Sequence, residues 1–427
     1  MTFSGPCRVL GVLLALLGGS ATLQAGGFSN MEFGTRRMGM FAVIAKPDDA
    51  TAIFHNPAGL VLTSGSTSYL SLAWWLVGAE TRLYDSEGAL HPEENIVPDR
   101  AQALNPFLGF TTDFGTRRFR AGIAAYAPNV FGTALPIDEP TRYLALDALF
   151  IAARFTTSVA YQVTDQLAVG ANVNLLTMYL SVASMLNASV LNNPDNKFKE
   201  GIEEYDGRLD IEGVDYAVSW DLGLLFEPTP GLRLGAVFAS GVPVELEGDV
   251  TFTSADGEVV TSTQKTTFAI PFTLQGGINY EIATDFELAA DIRYWHYQVN
   301  QEQRTTLGQP IMGLTGLVSP RRYGNSLNIG VGLLHRFAPG WEVMVGYQHD
   351  WSPIPPESIT VENPNGDRHS VATGVRWYPS GGLRVGLALV RNWFEMINNQ
   401  ESKSNPPSNA KGVGSNTALG LDLSWTM

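Results

Sequence analysis

The chain has 427 residues and a formal net charge of −15, yet 44% of its residues are hydrophobic and only 16% are charged. Soluble domains carry about 25% charged residues, so the composition points away from one. The acidity excludes nucleic acid as a partner, since that would require a basic surface.

At the N-terminus, Arg8 is followed by an apolar run from Val9 to Leu17, then by Gly18-Gly19-Ser20 and Leu23-Gln24-Ala25. This run is too short to span a bilayer and is followed by small residues, so residues 1–25 read as an export signal cleaved near Ala25. Cys7, the only cysteine, lies inside it. The mature chain then has no thiol, which excludes a disulfide framework or thiolate metal site and suits passage through an oxidising periplasm.

Residues 26–65 do not alternate and carry Arg36, Arg37, Lys46, Asp48 and Asp49. Such a broken polar segment cannot lie in lipid, where its free backbone groups would be unsatisfied. It is expected to sit as a hatch, or plug, inside a barrel wide enough to have a lumen. Pro57 fixes its own backbone angle and restricts Asn56, so Asn56-Pro57-Ala58 predicts a rigid corner.

From residue 66 to 427 the pattern has period two. Leu419, Leu421, Leu423, Trp425 and Met427 alternate with Gly420, Asp422, Ser424 and Thr426, and Phe286–Trp295 and Leu383–Leu389 behave alike. One set is expected to face lipid and the other the lumen. The charges Glu287, Asp291, Arg293 and Arg384 all fall on the lumen side; a basic one facing lipid at the midplane would cost roughly 2–4 kcal/mol. No apolar run of about 20 residues follows the signal, so spanning helices are not expected.

Turns set the strand count. Short breaks at 113–116, 164–165, 228–231, 283–285, 338–340 and 379–382 alternate with longer polar breaks near 85–98, 132–146, 187–212, 254–257, 306–320, 354–366 and 398–412. That alternation of periplasmic turns with external loops predicts an all-β transmembrane barrel of about fourteen antiparallel strands, with both ends in the periplasm. Trp341, Tyr347, Trp351, Trp377, Tyr378 and Trp393 lie near strand ends, where interfacial aromatic belts form. Catalysis is not expected, because Gly-x-Ser-x-Gly, His-Glu-x-x-His and a phosphate-binding glycine loop are all missing. His349 and Asp350 are adjacent in a strand and point to opposite faces. The six histidines are scattered, so neither a metal site nor a cofactor is expected.

Several stretches are similar to a known family. Asp48-Asp49-Ala50 through Asn56-Pro57-Ala58-Gly59-Leu60 resembles the hatch motif of FadL/TodX-type outer-membrane transporters of long-chain fatty acids and other hydrophobic compounds. Ala125–Gly132, Ser158–Tyr161 with Leu167–Gly170, and Gly346–Pro355 resemble further segments of that family. The resemblance implies a fourteen-stranded monomer in the outer membrane of a Gram-negative bacterium, an external apolar groove, an internal apolar pocket, and ligand exit through a gap beside a kinked third strand. Pro128, which cannot donate a ladder hydrogen bond, is the candidate for that kink, with Phe131 and Gly132 beyond it.

The expected function is passive uptake of a long-chain fatty acid or similar hydrophobic molecule. Asn56, Pro57, Ala58, Phe28 and Phe33 are the candidate gating residues, Met185, Leu186 and Val190 the capture residues, and Arg154 and Arg376 the contacts for a carboxylate. Lumen arginines also pair with acids such as Asp291, and His55 suits a hydrogen bond within the hatch. Expected partners are the ligand, outer-membrane lipid and lipopolysaccharide, and the outer-membrane assembly machinery. Import of aromatic hydrocarbons, or a barrel acting as adhesin or porin, are the alternatives. The last residues depart from the family in ending Trp425-Thr426-Met427 rather than on an aromatic residue.

Overall fold

The computed structural model describes residues 31–84, 102–135, 137, 140–143, 145–187, 206–337, 340–359, 366–379, 381–403 and 409–427. Residues 1–30, which include the expected export signal and Phe28, and Val190 lie outside the described residues.

Alternation becomes strand along nearly the whole chain. The first seven strands are β1 (Ser66–Leu83), β2 (Gln102–Thr112), β3 (Phe119–Ala134), β4 (Asp147–Gln162), β5 (Leu167–Asn187), β6 (Asp206–Thr229) and β7 (Leu232–Ala239). Then come β8 (Val242–Thr253), β9 (Val259–Ile270), β10 (Thr273–Ala283), β11 (Phe286–Trp295), β12 (Glu302–Ile311) and β13 (Leu314–Pro320). The last are β14 (Ser326–Arg336), β15 (Trp341–Asp350), β16 (Arg368–Trp377), β17 (Leu383–Asn399) and β18 (Ala410–Thr426). β7 pairs with β10, β11 with β14 and β18 with β1, all antiparallel. The wall is therefore a closed ring of fourteen strands, with β8, β9, β12 and β13 outside it. Closure leaves no strand edge unpaired in lipid.

The faces follow the pattern. Leu421 is 37% exposed while its neighbour Asp422 is 3% exposed, so the apolar set faces outward and the polar set faces the lumen. The described residues contain no helix long and apolar enough to cross a membrane, which is silent about strands.

Two long breaks turn out differently from the sequence reading. The stretches at 254–257 and 306–320 are not simple loops: the first is the tip of the β8–β9 hairpin and the second is mostly β12–β13. β9 pairs with β12, and β8 pairs with the upper part of β6, making a small external sheet. The break at 187–212 also begins as strand again at Asp206, which pairs with Asn187. A bilayer needs only about 9–11 residues of tilted strand, while β5 has 21 and β6 has 24. Their upper ends project beyond the membrane, where alternation persists without lipid.

Candidate functional site

Inside the ring lies the segment 31–65, with the helices α1 (Thr35–Met40) and α2 (Ala52–His55) and a tight 3-10 turn at Pro57–Leu62. Nearly every residue from Phe33 to Leu60 is buried. Small lumen-facing residues explain how a folded segment fits there. Gly109, Gly122, Gly170, Gly223, Gly235 and Gly277 on one side touch this segment, as do Gly330, Gly346, Gly374, Gly386 and Gly420 on the other. Eleven of the fourteen wall strands thus present a glycine to it. In the other three strands an alanine packs against it: Ala73 near Met38, Ala160 near Leu60 and Ala289 near Met40. A Cβ on Gly223 would overlap Asn56 and Pro57, and one on Gly332 would overlap Met40. Here glycine is required for close backbone approach.

The Asn56-Pro57-Ala58 corner is tied in three ways. Asn56 Oδ1 accepts from Ala58 N at 3.1 Å, while its Nδ2 donates to Ile44 O at 2.9 Å and to Leu224 O on β6 at 3.1 Å. Pro57 opens the 3-10 turn, where no donor is needed. Ala58 packs against Ala168 and Leu225. One side chain therefore closes the turn and also pins it to the wall.

Below the corner the segment is held by charge. Arg36 pairs with Asp48 at 3.3 Å and with Glu287 at 2.6 Å, and Lys46 pairs with Glu281 at 2.7 Å and with Glu287. Arg376 meets Asp48 at 2.8 Å and Glu342 at 2.7 Å, and Arg384 meets Asp49 at 3.3 Å. Burial pushes the Lys46 ammonium down to about 8. Burial opposes ionisation of Asp48, but Arg376 and Arg36 hold its carboxyl well below the usual range. Arg376, expected to meet a ligand carboxylate, is thus already engaged by acids of the segment and the wall. Asp291 is not its partner: it pairs with Arg293 at 3.0 Å and accepts from Val43 N at 2.7 Å.

Above the corner most contacts are apolar, beside the long ion pairs of Glu32 with Arg368 at 3.7 Å and Arg37 at 3.9 Å. Met31 and Phe54 pack into an apolar cluster with Phe150, Leu176, Met178 and Trp295 of the wall and Val244, Leu246 and Ile270 of β8 and β9. Phe33 lies among Phe54, Phe107 and Tyr126, with ring centroids at 5.0, 5.6 and 5.5 Å. His55 Nε2 lies 2.9 Å from Phe33 O. Burial, with Arg293 and Arg37 nearby, holds the His55 imidazole well below its usual range. It is therefore neutral at pH 7, and Nε2–H can donate to that carbonyl.

The aromatic group sits where the wall is incomplete. Pairing of β2 with β3 runs only from Phe107–Tyr126 to Thr112–Ala121, so Gln102–Pro106 keeps only β1 as its ladder partner. The β3–β4 register shifts between Tyr126 and Asn129, which makes Ala127-Pro128 a bulge. Pro128 is therefore inside β3 rather than at its end, and Gly132 continues the strand opposite Leu149. Phe131 lies on the same strand, opposite Phe150. On the lipid side a groove of about 810 Å³ lies just below this break, over the paired part of β2 and β3, lined by Leu108, Phe110, Ile123, Phe155 and Leu175, with Gly109 and Ala124 also bordering it. Arg154 lies opposite Tyr126 on β4, is 9% exposed, and its Nε has no hydrogen-bond partner among the described residues.

Met185 and Leu186 are on strand β5 rather than on a loop, so they face opposite sides. Leu186 packs with the external apolar cluster of Leu209, Ile211, Val250, Phe252 and Ile311. The structure does not bring Met185 to that cluster. Val182 packs against both this cluster and the one around Phe150, and Phe54 packs against both the Phe150 cluster and the aromatic group. Apolar contact thus runs unbroken from the external sheet to the incomplete wall. Phe54, Phe107, Tyr126 and Val182 were missed by sequence reasoning, because ordinary strand aromatics and aliphatics look alike until the register is known.

The family model for the outer membrane protein transport proteins (OMPP1/FadL/TodX) matches residues 16–426. The chain belongs to this family. Its members are passive transport channels of the Gram-negative outer membrane for hydrophobic compounds, not enzymes. Among solved structures, a Pseudomonas aeruginosa FadL homologue matches at 17% identity, with 94% of this chain and 99% of that one covered and a TM-score of 0.81. The P. putida toluene transporter TodX matches at 18% identity over 95% and 99% of the two chains, TM-score 0.72. The Ralstonia pickettii toluene transporter TbuX matches at 18% over 94% and 99%, TM-score 0.68. At these identities the likeness shows the fold. A comparison with curated protein sequences finds no match.

Proposed function

We propose that this transporter takes up long-chain fatty acids or hydrophobic acids of similar shape, and that it releases them sideways between β2 and β3. The observation that carries this reading is the continuous series of apolar contacts from the external cluster through Val182, the Phe150 cluster and Phe54 to the aromatic group at the wall break. Each methylene withdrawn from water contributes about 0.8 kcal/mol, so a long chain is held without specific contacts. The plug's ion pairs and the close glycine contacts make the downward route the tighter one, which favours lateral release.

Arg154 supports an acid over a neutral hydrocarbon. A buried guanidinium with an unused N–H beside the apolar Phe150 cluster suits a carboxylate, because charge-assisted hydrogen bonds are strong where water is excluded. Binding can drive release only if the ligand favours one arrangement of the upper plug over another. The stretch Gly26–Phe33, at whose end Phe33 makes the aromatic contacts above, is the part proposed to move.

The test uses cells lacking their own hydrophobic-compound transporter, given labelled oleate or labelled toluene. Oleate uptake should depend on this protein and fall roughly tenfold in Arg154→Gln, the loss of about 1.4 kcal/mol of carboxylate contact. Toluene uptake that exceeds oleate uptake and ignores Arg154 would instead assign the chain to aromatic hydrocarbons, as the names of TodX and TbuX state for those proteins.

A further inference from the structure

On the lipid-facing side of β15–β18 three rungs follow one another toward the external end. The lowest is apolar except for one threonine: Val345, Thr373, Leu389 and Leu419. Next come Tyr347, Val371, Arg391 and Thr417, and above them His349, His369, Trp393 and Ser415. An arginine facing lipid costs roughly 2–4 kcal/mol at the midplane and about 0–1 near the interface. Trp341 and Trp377 mark the opposite, periplasmic end of these strands, stacked at 5.7 Å. His349 is eight residues up β15 from Trp341, which places it close to the upper margin of an apolar band about 25 Å tall.

Arg391 is held flat against the wall. Its Nη1 donates to Thr417 Oγ1 and its Nη2 to Ser415 Oγ, both at 2.8 Å, and its guanidinium lies 5.7 Å from the centre of the Trp393 ring. It makes no ion pair among the described residues, unlike Arg36, Arg376 and Arg384 in the lumen. Two histidines adjoin it. His349 Nδ1 lies 3.2 Å from His369 Nδ1, and Tyr347 Oη lies 2.8 Å from the same atom of His369. Trp351 meets the His349 ring edge-on at 4.2 Å. One acid is close, Glu395, at 3.7 Å from His369 Nε2.

We propose that this face is a binding site for the phosphate of a phosphorylated glycolipid in the outer leaflet, with Arg391 as its central contact. The chain faces the outer membrane, so a ligand here must carry acyl chains along the apolar rung below and an anion at the height of Arg391. The sugar part would lie against Trp393 and Trp351. Arginine suits the phosphate because its planar donors match two oxygens and its weak hydration lowers the cost of leaving water. Fixing that guanidinium in advance with Thr417 and Ser415 reduces the entropy lost on binding.

Purified, delipidated protein in detergent is titrated with bisphosphorylated lipid A, with the same lipid stripped of its phosphates, and with inorganic phosphate, and binding is read by native mass spectrometry. The expected result is one retained bisphosphorylated lipid per barrel, affinity reduced roughly tenfold in Arg391→Gln, and partial loss in the double variant Ser415→Ala, Thr417→Val. Hydrophobic-ligand uptake by Arg391→Gln should stay at the wild-type level, which shows that the barrel is folded. Equal retention of the phosphate-free lipid, or equal affinity of Arg391→Gln, overturns the proposal. Phosphate alone binding as tightly as the lipid also overturns it, since the site would then belong to a free anion.

Discussion

The lower and upper halves of the internal segment are held by different physics. Below the Asn56-Pro57 corner, Arg36, Lys46, Asp48 and Asp49 are locked to Glu287, Glu281, Arg376 and Arg384, and glycines let the backbone seat directly on the wall. Above it, Met31, Phe33 and Phe54 rest on apolar contacts, a hydrogen bond from His55 and the ion pairs of Glu32. Buried ion pairs break at a high cost because each partner is left charged in a dry setting. Apolar contacts yield gradually, and an apolar ligand can replace them. If the upper part is what moves, as proposed, the floor can stay closed while the upper contacts exchange with cargo.

The largest expected effect attacks the floor. Gly223→Leu should overlap Asn56 and Pro57 and expel the corner, leaving a folded barrel with large, steady ion conductance in planar bilayers. An unchanged, non-conducting channel would mean that the segment can seat elsewhere. Arg376→Met comes next: it removes one partner from each of Asp48 and Glu342, which keep Arg36 and Arg336, so the loss should fall below the roughly 3–5 kcal/mol of a fully broken buried pair. Chemical denaturation and hydrogen exchange at Lys46–Ala52 should both report that loss.

In the upper half, Phe33→Ala removes a fully buried ring and should cost about 3 kcal/mol of local stability. Exchange should rise at residues 31–41 while Asp48–Ala52 stays protected, and deletion of Gly26–Phe33 should abolish uptake with the barrel intact. Equal loosening of both halves would erase the distinction drawn above. The smallest effect is one of pH. His55 binds a proton less readily in the folded protein than in the unfolded chain, whose value is about 6.5. Its contribution is therefore full above pH 6.5 and declines as pH falls toward the lower folded value. Protection of the amides around Phe33, taken relative to the intrinsic exchange rate at each pH, should fall between pH 7 and pH 5, and His55→Gln should flatten that dependence.

The wall was readable in the sequence because its determinants are local: Leu419–Met427 alternate, and Asp113, Thr164, Pro228 and Pro379 mark tight turns. The external sheet was not, because β8, β9, β12 and β13 carry the same alternation as strands in lipid. Pro128 drew attention to β3, yet the open ladder beside Gln102–Pro106 depends on what β3 fails to pair with, which no single segment encodes. Arg376 looked like a free lumen cation because its partner Asp48 is 328 residues away. The glycines facing the plug were visible one by one, but only the register places them at related heights around the ring.

The closing seam has a consequence for biogenesis. β1 and β18 join across nearly the full chain, Thr67 opposite Thr426. Asp422 on β18 accepts from Tyr69 on β1 at 2.7 Å and from Thr35 Oγ1 of the internal segment at 2.5 Å. The last strand made thus reads the presence of the first structure made. A nascent sheet that curled shut around an empty interior would leave that carboxylate without its threonine and a ring of glycines without backbone to rest on. Through Asp422, the closing seam is thus tied directly to the internal segment, so ring closure and the seating of that segment share one carboxylate.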